Sequence, residues 1–364
     1  MLKATLHKKV FHFAFEARTS RGVMKDRTSW FIRIFDETDP SKFGLGECAP
    51  LAGLSPELTD DFETRLNGFI DSFNDAKIQA VTSTLAGVHD LIQSKFSSVK
   101  DVSSIVFALE TALIDLFNGG DRTIFDNSFK TGKGIPINGL IWMGGMDFML
   151  QQIEIKIRDG FRCIKLKVGG LDFEKECDVL QYVRRKYFRE TITIRLDANG
   201  AFKIDDVLYK LNELAKFNVH SIEQPLKKGS EFLPEICAKS PIPVALDEEL
   251  LGINDQAGRR ALLDRVKPQF IILKPGLHGG LYGSGEWISA ATAKGIGWWV
   301  TSALESNVGL NALAQFVSQY PVAIPQGLGT GAIYDDNFEG PLEVTRNGEL
   351  TLNSRFPWQL EKIS

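Results

Sequence analysis

The second half of this 364-residue chain repeats a short apolar run that ends in a charge, at a nearly constant interval. The runs are Cys163-Ile164-Lys165-Leu166-Lys167, Thr193-Ile194-Arg195-Leu196-Asp197, Ser221-Ile222-Glu223, Val244-Ala245-Leu246-Asp247 and Phe270-Ile271-Ile272-Leu273-Lys274. Counted from Lys167, the closing charges fall 30, 26, 24 and 27 residues apart. One strand, one helix and two short loops need about that length. Such a period places every closing charge on one rim of a parallel barrel, the rim where barrels of this kind keep their chemistry.

Runs at 135–143, 297–303 and 322–326 extend the series to eight strands, with helices between them at 173–188, 204–217 and 281–294 among others. No Gly-x-Gly-x-x-Gly follows a strand, which removes the usual reason to choose an open doubly wound sheet. Residues 1–120 lack the period. Leu2–Phe15 and Thr28–Phe35 read as a hairpin with a long mobile tip over 18–26, and Gly44–Leu51 as a short strand running into a loop. Ser55-Pro56-Glu57 predicts an N-cap opening a helix over 56–73, and further helices are predicted over 80–95 and 103–117. This is an α+β unit, 1–120, placed before a barrel unit, 121–330. The C-terminal segment 331–364 is expected to return to the first unit.

Composition narrows the function classes. A net charge of −4 without a basic block argues against nucleic acid and anionic membranes as partners and leaves small molecules. No window reaches eighteen uncharged apolar residues, and the N-terminus has no apolar leader. Cys48, Cys163, Cys177 and Cys237 lie far apart, which predicts reduced thiols in a cytoplasmic protein.

Asp197, Glu223 and Asp247 share the rim with no nearby Cys or His, an all-oxygen set suited to a hard divalent cation such as Mg²⁺. Three carboxylates in a partly desolvated pocket repel one another unless a cation neutralises them. Lys165 and Lys167, two residues apart on one strand, face the same way. A nearby cation disfavours their protonated forms, so one can act as a base despite a reference pKa near 10.4. The combination suits removal of a proton α to a carboxylate, with the cation and a facing ammonium holding the resulting enediolate. Asn199 reads as a residue that orients a ligand or caps a turn, and Gly276, with Gly279 and Gly280, equally as a place where backbone can approach a substrate carboxylate or as a loop former. Glu248 and Glu249 are ambiguous, and His278 reads as a loop residue.

Taken together, Lys165-Leu166-Lys167, Asp197-Ala198-Asn199, Ile222-Glu223-Gln224-Pro225, Leu246-Asp247-Glu248 and Leu273-Lys274-Pro275 resemble the enolase superfamily, in its muconate-lactonising-enzyme-like subgroup. The resemblance implies an α/β fold, a (β/α)7β TIM-like barrel behind an N-terminal α+β capping domain. It implies Mg²⁺, with Mn²⁺ as a possible substitute, on Asp197, Glu223 and Asp247. It further implies Lys167 as base, Lys165 as its neighbour and Lys274 as the cation across the site; enolase-superfamily sites are a worked example of this pairing of a base with Mg²⁺. Ala245–Leu250, Ser302–Leu310 and Pro325–Thr330 are similar to the o-succinylbenzoate synthase branch, which implies a carboxylate substrate and loss of water. On that reading Ser302, Ser306 and the loops 18–25 and 48–55 contact substrate, and the oligomeric state stays open.

Three other readings stand beside it. Dipeptide epimerases carry an Asp-x-Asp near the end of strand eight, where this chain has Gly327-Leu328-Gly329-Thr330 and an adjacent Asp335-Asp336; muconate cycloisomerisation and racemisation of acylated amino acids stay open within the same subgroup. A Schiff-base aldolase would use a barrel lysine but needs no carboxylate trio. A non-catalytic relative is expected to have lost its lysines.

Overall fold

A computed structural model describes residues 1–19, 22–79, 83–188, 191–329, 331–360 and 363. The chain opens with an antiparallel sheet of β1 (Leu2–Thr19), β2 (Gly22–Asp36) and β3 (Asp39–Cys48), in that order. Aromatic and β-branched residues on both faces bury the middle strand from two sides. Ile32 and Ile34 pack toward the helices, while Phe31 packs with Phe11, Tyr334 and Phe338. The hairpin is longer than its turn-rich sequence predicts, since backbone pairing continues through Arg18↔Val23 and Thr19↔Gly22 after a bulge between His12 and Ala17. Residues 20 and 21 of the expected tip lie outside the described residues.

Helices α1 (Phe62–Asp75), α2 (Leu85–Lys95) and α3 (Ser103–Phe117) cover this sheet. The expected start of α1 at Pro56 is not observed, because the Ser55 hydroxyl accepts the Leu51 N–H at 2.8 Å and so closes a loop instead of capping a helix. Helix α2 begins after the expected 80, and residues 80–82 lie outside the described residues. Glycine is required where α3 crosses β3. A Cβ at Gly44 would sit 1.8 Å from the Ala112 carbonyl oxygen, and one at Gly46 1.8 Å from that of Ala108.

The barrel follows. β4 (Ile135–Pro136) and β5 (Gly139–Ile141) lead into α4 (Met146–Arg158), β6 (Cys163–Lys167), α5 (Phe173–Lys186), β7 (Thr193–Asp197) and α6 (Val207–Ala215). β8 (Ser221–Glu223), α7 (Leu233–Lys239), β9 (Val244–Leu246), α8 (Gln256–Val266) and β10 (Phe270–Leu273) continue it. α9 (Gly280–Thr292), β11 (Gly297–Val300) and α10 (Asn307–Val317) complete the alternation. β5 to β11 form one sheet in sequential order, each pair parallel.

The expected strand over 322–326 is reduced to two parallel bridges, Ile137↔Gln326 and Thr301↔Gly327, which join the two edges of the sheet. Pro321 and Pro325 carry no N–H, so this stave cannot build a full ladder. The C-terminal segment divides. Residues 333–338 pair and pack with β1, while β12 (Leu342–Val344) and β13 (Glu349–Leu352) form an antiparallel sheet with β4. Among the described residues no helix is long and apolar enough to cross a membrane.

Strand alternation decides which residues meet inside. Ile164, Leu166, Ile194, Leu196, Ile222, Val244, Leu246, Ile271 and Leu273 belong to the core between sheet and helices. Their neighbours point the other way, so Lys165, Lys167, Arg195, Asp197, Glu223, Ala245, Asp247 and Lys274 line the interior. Arg195 forms the floor beneath the carboxylates. Its guanidinium stacks 4.1 Å from the Trp299 ring centroid and donates to the Pro325 carbonyl at 2.8 Å.

Candidate active site

Register brings the charges level. Lys167 pairs with Asp197 across β6 and β7, and Asp197 with Glu223 across β7 and β8. Glu223 pairs with Ala245, and Asp247 lies two residues beyond it on the same face. The Lys165 ammonium lies 3.0 Å from Asp197 Oδ2 and 2.5 Å from Glu223 Oε2. Lys167 reaches Asn199 Oδ1 at 2.6 Å and Asp197 Oδ2 at 3.3 Å. Lys274, arriving from β10 on the other side, ion-pairs with Asp247 Oδ2.

Burial opposes the charged form of Lys165, but the Asp197 and Glu223 carboxylates more than offset it and raise its pKa; Asp247 and Glu223 do the same for Lys274. Both amines are therefore held as ammonium by the carboxylates that face them. Burial also works against the Asp197 carboxylate, yet Lys165 and Lys167 hold its pKa below the usual range. Glu223 moves the other way. Its burial, reinforced by the charge of Asp197, pushes it well above the usual range.

These oxygens form a donor set that suits a hard cation. Four carboxylates (Asp197, Glu223, Asp247, Glu248) face three lysine amines, and Glu223 Oε1 is buried without accepting a hydrogen bond among the described residues. The Asp247 carboxyl stands within hydrogen-bonding reach of that of Glu223, a contact that needs a proton or a cation between the oxygens. Among the described residues no three His, Cys, Asp or Glu side chains are grouped closely enough to hold a metal ion as they stand. The lysines are instead interleaved with the carboxylates.

A cavity of about 330 Å³ opens above this layer. Lys165, Lys167, Asp197, Asn199 and Lys274 line its polar end. Val23, Met24, Leu51, Leu54, Leu140, Trp142 and Leu304 line the apolar end. Parts of both expected substrate loops therefore reach it, residues 22–24 of the first and 51–54 of the second. Ser302 lines the cavity as well, but its hydroxyl donates to Glu305 Oε2 at 2.6 Å and accepts the Leu304 N–H at 2.9 Å. Ser306 does not line it. That residue caps α10 and donates its hydroxyl to Glu47 Oε2 at 2.6 Å. Gly276 also stays outside, 3.3 Å (measured from an added Cβ) from Glu305 Oε1.

Gln224 and Glu248 have structural duties that composition does not disclose. Gln224 Oε1 accepts the N–H groups of Asp247 (3.3 Å) and Glu249 (3.2 Å), tying the end of β8 to the end of β9. Glu248 Oε1 accepts from Asn199 Nδ2 at 3.2 Å, so Asn199 bridges Lys167 and Glu248. The signal for Gln224 was its place directly after the rim carboxylate Glu223.

A family model described as "Enolase C-terminal domain-like" matches residues 149–355, more than half the chain and all of the carboxylate-bearing strands. The chain belongs to the enolase superfamily. The curated o-succinylbenzoate synthase of Desulfotalea psychrophila is 41% identical over 346 residues, covering 90% of this chain and 93% of that protein. The crystal structure of MenC from Desulfotalea psychrophila LSv54 superposes with a TM-score of 0.82 at 36% identity, covering 96% of this chain and 99% of the other. More distant superfamily members share the fold. The L-Ala-D/L-Glu epimerase of Bacillus subtilis, solved with bound substrate, has a TM-score of 0.80 at 18% identity, with 98% and 96% of the two chains covered.

Proposed function

We propose that this enzyme is an o-succinylbenzoate synthase, which removes water from 2-succinyl-6-hydroxy-2,4-cyclohexadiene-1-carboxylate to give o-succinylbenzoate on the route to menaquinone. The observation that carries the reaction class is the arrival of Lys167 and Lys274 at one cavity from opposite strands, with carboxylates between them. The strong similarity to a synthase over nearly the whole chain selects this member of the class. A cavity with a charged floor and an apolar upper end suits a cyclic diene carrying carboxylates.

In this reading Lys167 takes the proton α to the ring carboxylate, and the electron pair moves into that carboxylate. The Lys274 ammonium faces the negative charge that develops. Lys167, now protonated, returns a proton to the departing hydroxyl on the same face, and the ring becomes aromatic as water leaves. Asn199 holds Lys167 in line through its 2.6 Å contact, and the apolar end of the cavity keeps bulk water from the amine. Asp197, Glu223 and Asp247 would hold a magnesium ion, for which manganese is a substitute. Bound there, the ion supplies neutralisation of those carboxylates and polarisation of the substrate carboxylate. We place the enzyme in the cytoplasm, in keeping with four cysteines that form no disulfide.

Dipeptide epimerisation is disfavoured by the position of Asp336. It accepts from Lys9 Nζ and from the His12 N–H, both at 2.9 Å, and lies outside the cavity lining. The deciding experiment measures o-succinylbenzoate formation beside Ala-Glu epimerisation in D₂O. Formation of the aromatic product is expected. Deuterium in the dipeptide with no aromatic product would overturn the proposal.

A further inference from the structure

Lys274 follows directly on β10 and faces the cavity, and Pro275 comes immediately after it. Its backbone N–H does not continue the sheet ladder. It donates instead to Nδ1 of His278, four residues on, at 2.9 Å. The return contacts close a tight loop, for the Lys274 carbonyl accepts from Leu277 N at 2.7 Å and from His278 N at 3.0 Å. An acceptor at Nδ1 places the ring proton on Nε2. The imidazole is buried, with 1% of the residue exposed. Burial, aided by the charges of Lys274, Lys228 and Arg259 against that of Asp247, lowers its pKa to about 3. The accepting tautomer therefore persists through the neutral range.

The loop is held from its other side by the N-terminal layer. Gly279 N donates to Ser103 Oγ at 3.0 Å, and Leu281 N and Tyr282 N donate to Glu110 Oε2 at 2.6 and 3.3 Å. Glycine is required between them, since a Cβ at Gly280 would lie 2.4 Å from the same oxygen. His278 thus sits in a fixed frame and transmits that frame to a single N–H.

We propose that His278 is a positioning residue for Lys274, its ring nitrogen fixing the strand-end backbone from which the amine is aimed at Asp247 and the cavity. The inference rests on the reading of Lys274 as the cation of the reaction. A lysine amine stands four methylenes from its backbone, so a small rotation at the strand end displaces it by an ångström or more. A displacement of that size costs on the order of 100-fold in rate.

The test compares His278→Asn, His278→Leu and His278→Gln in the magnesium-loaded enzyme. Asn places an oxygen near the position of Nδ1, Leu fills the space with no acceptor, and Gln moves its acceptor one bond farther out. The expected result is a kcat reduced roughly 10- to 100-fold in the Leu and Gln variants, with KM changed by less than about threefold, and kcat restored to within about threefold of wild type by Asn. Lys274 acylation, read by peptide mass spectrometry, is expected to accelerate several-fold in Leu and Gln but not in Asn. Should the Leu variant fail to fold, the Asn and Gln pair carries the comparison. Wild-type kcat and labelling in the variants without an acceptor would overturn the proposal, as would an Asn variant as impaired as Leu. If wild type itself forms no o-succinylbenzoate, the functional reading fails, while the order of labelling still decides the role of His278.

Discussion

Replacement of Glu47 by alanine tests how the N-terminal sheet holds a wall of the cavity. Glu47 lies in β3, yet its carboxylate sits at the N-terminus of α10. Ser29 Oγ donates to Oε1 at 2.7 Å, Ser306 N to the same oxygen at 3.0 Å, and Ser306 Oγ and Gly309 N to Oε2 at 2.6 and 3.0 Å. Alanine removes all of these acceptor contacts at once, together with the second contact that Ser306 N makes to Oε2 at 3.1 Å. The two hydroxyls can rotate to other partners, and Ser306 Oγ already accepts the Val308 N–H at 3.2 Å. The two backbone N–H groups cannot, and each buried orphan donor costs about 1–3 kcal/mol. Loss of a negative charge from the helix N-terminus adds roughly 0.3–1 kcal/mol. Relief of the desolvation cost of a buried carboxylate works in the opposite direction. The expected net loss is about 3 kcal/mol, read as a lower urea midpoint at unchanged slope. Glu47→Gln keeps one oxygen but turns an amide N–H toward a donor, and should lose about half as much. KM should rise in both, because Ser302, Ala303 and Leu304 of the adjoining loop line the cavity. An alanine variant within about 0.5 kcal/mol of wild type, with unchanged KM, would refute this reasoning.

Three further outcomes are expected. Lys167→Ala should lower dehydration by at least about 10³-fold while leaving the circular dichroism spectrum intact, since it deletes the proposed base; turnover like that of wild type would remove Lys167 from the role. Treatment with EDTA should abolish activity and Mg²⁺ or Mn²⁺ should restore it, whereas full activity in chelator would contradict the assignment of Asp197, Glu223 and Asp247. Acid should destabilise wild type relative to His278→Asn. The folded-state pKa of His278 lies at about 3 against an ordinary 6.5, so below pH 6.5 the unfolded chain binds a proton that the native chain refuses. The stability difference should move in favour of the Asn variant by up to about 1.4 kcal/mol per pH unit as pH falls from 6.5 toward 3, and parallel pH–stability curves would rule this out.

Much of the barrel was legible because its signal is local. Ser221–Glu223 is a strand with the expected bounds, and Cys163–Lys167 and Thr193–Asp197 fall within strands expected over 162–168 and 192–197. The helix predicted over 103–117 was equally plain, and it has the expected bounds. The misreadings share a cause. Ser55-Pro56-Glu57 has the composition of a helix start, but its hydroxyl closes a loop onto Leu51. The run 322–326 is apolar like a strand, but its prolines leave only bridges. Ser306 looks like a polar group at a strand end near substrate, but its partner lies 259 residues away in β3.

The alternation of side chains along a strand is set by the stereochemistry of neighbouring residues, and it alone selected which lysines and carboxylates point inward. It could not say that Lys165 would lie between Asp197 and Glu223 while Lys274 took Asp247, nor that Asn199 would hold Lys167. Those pairings depend on strand register and on distances between atoms far apart along the chain. They exist only once the barrel has closed, because a contact between remote residues leaves no imprint on the neighbours of either one.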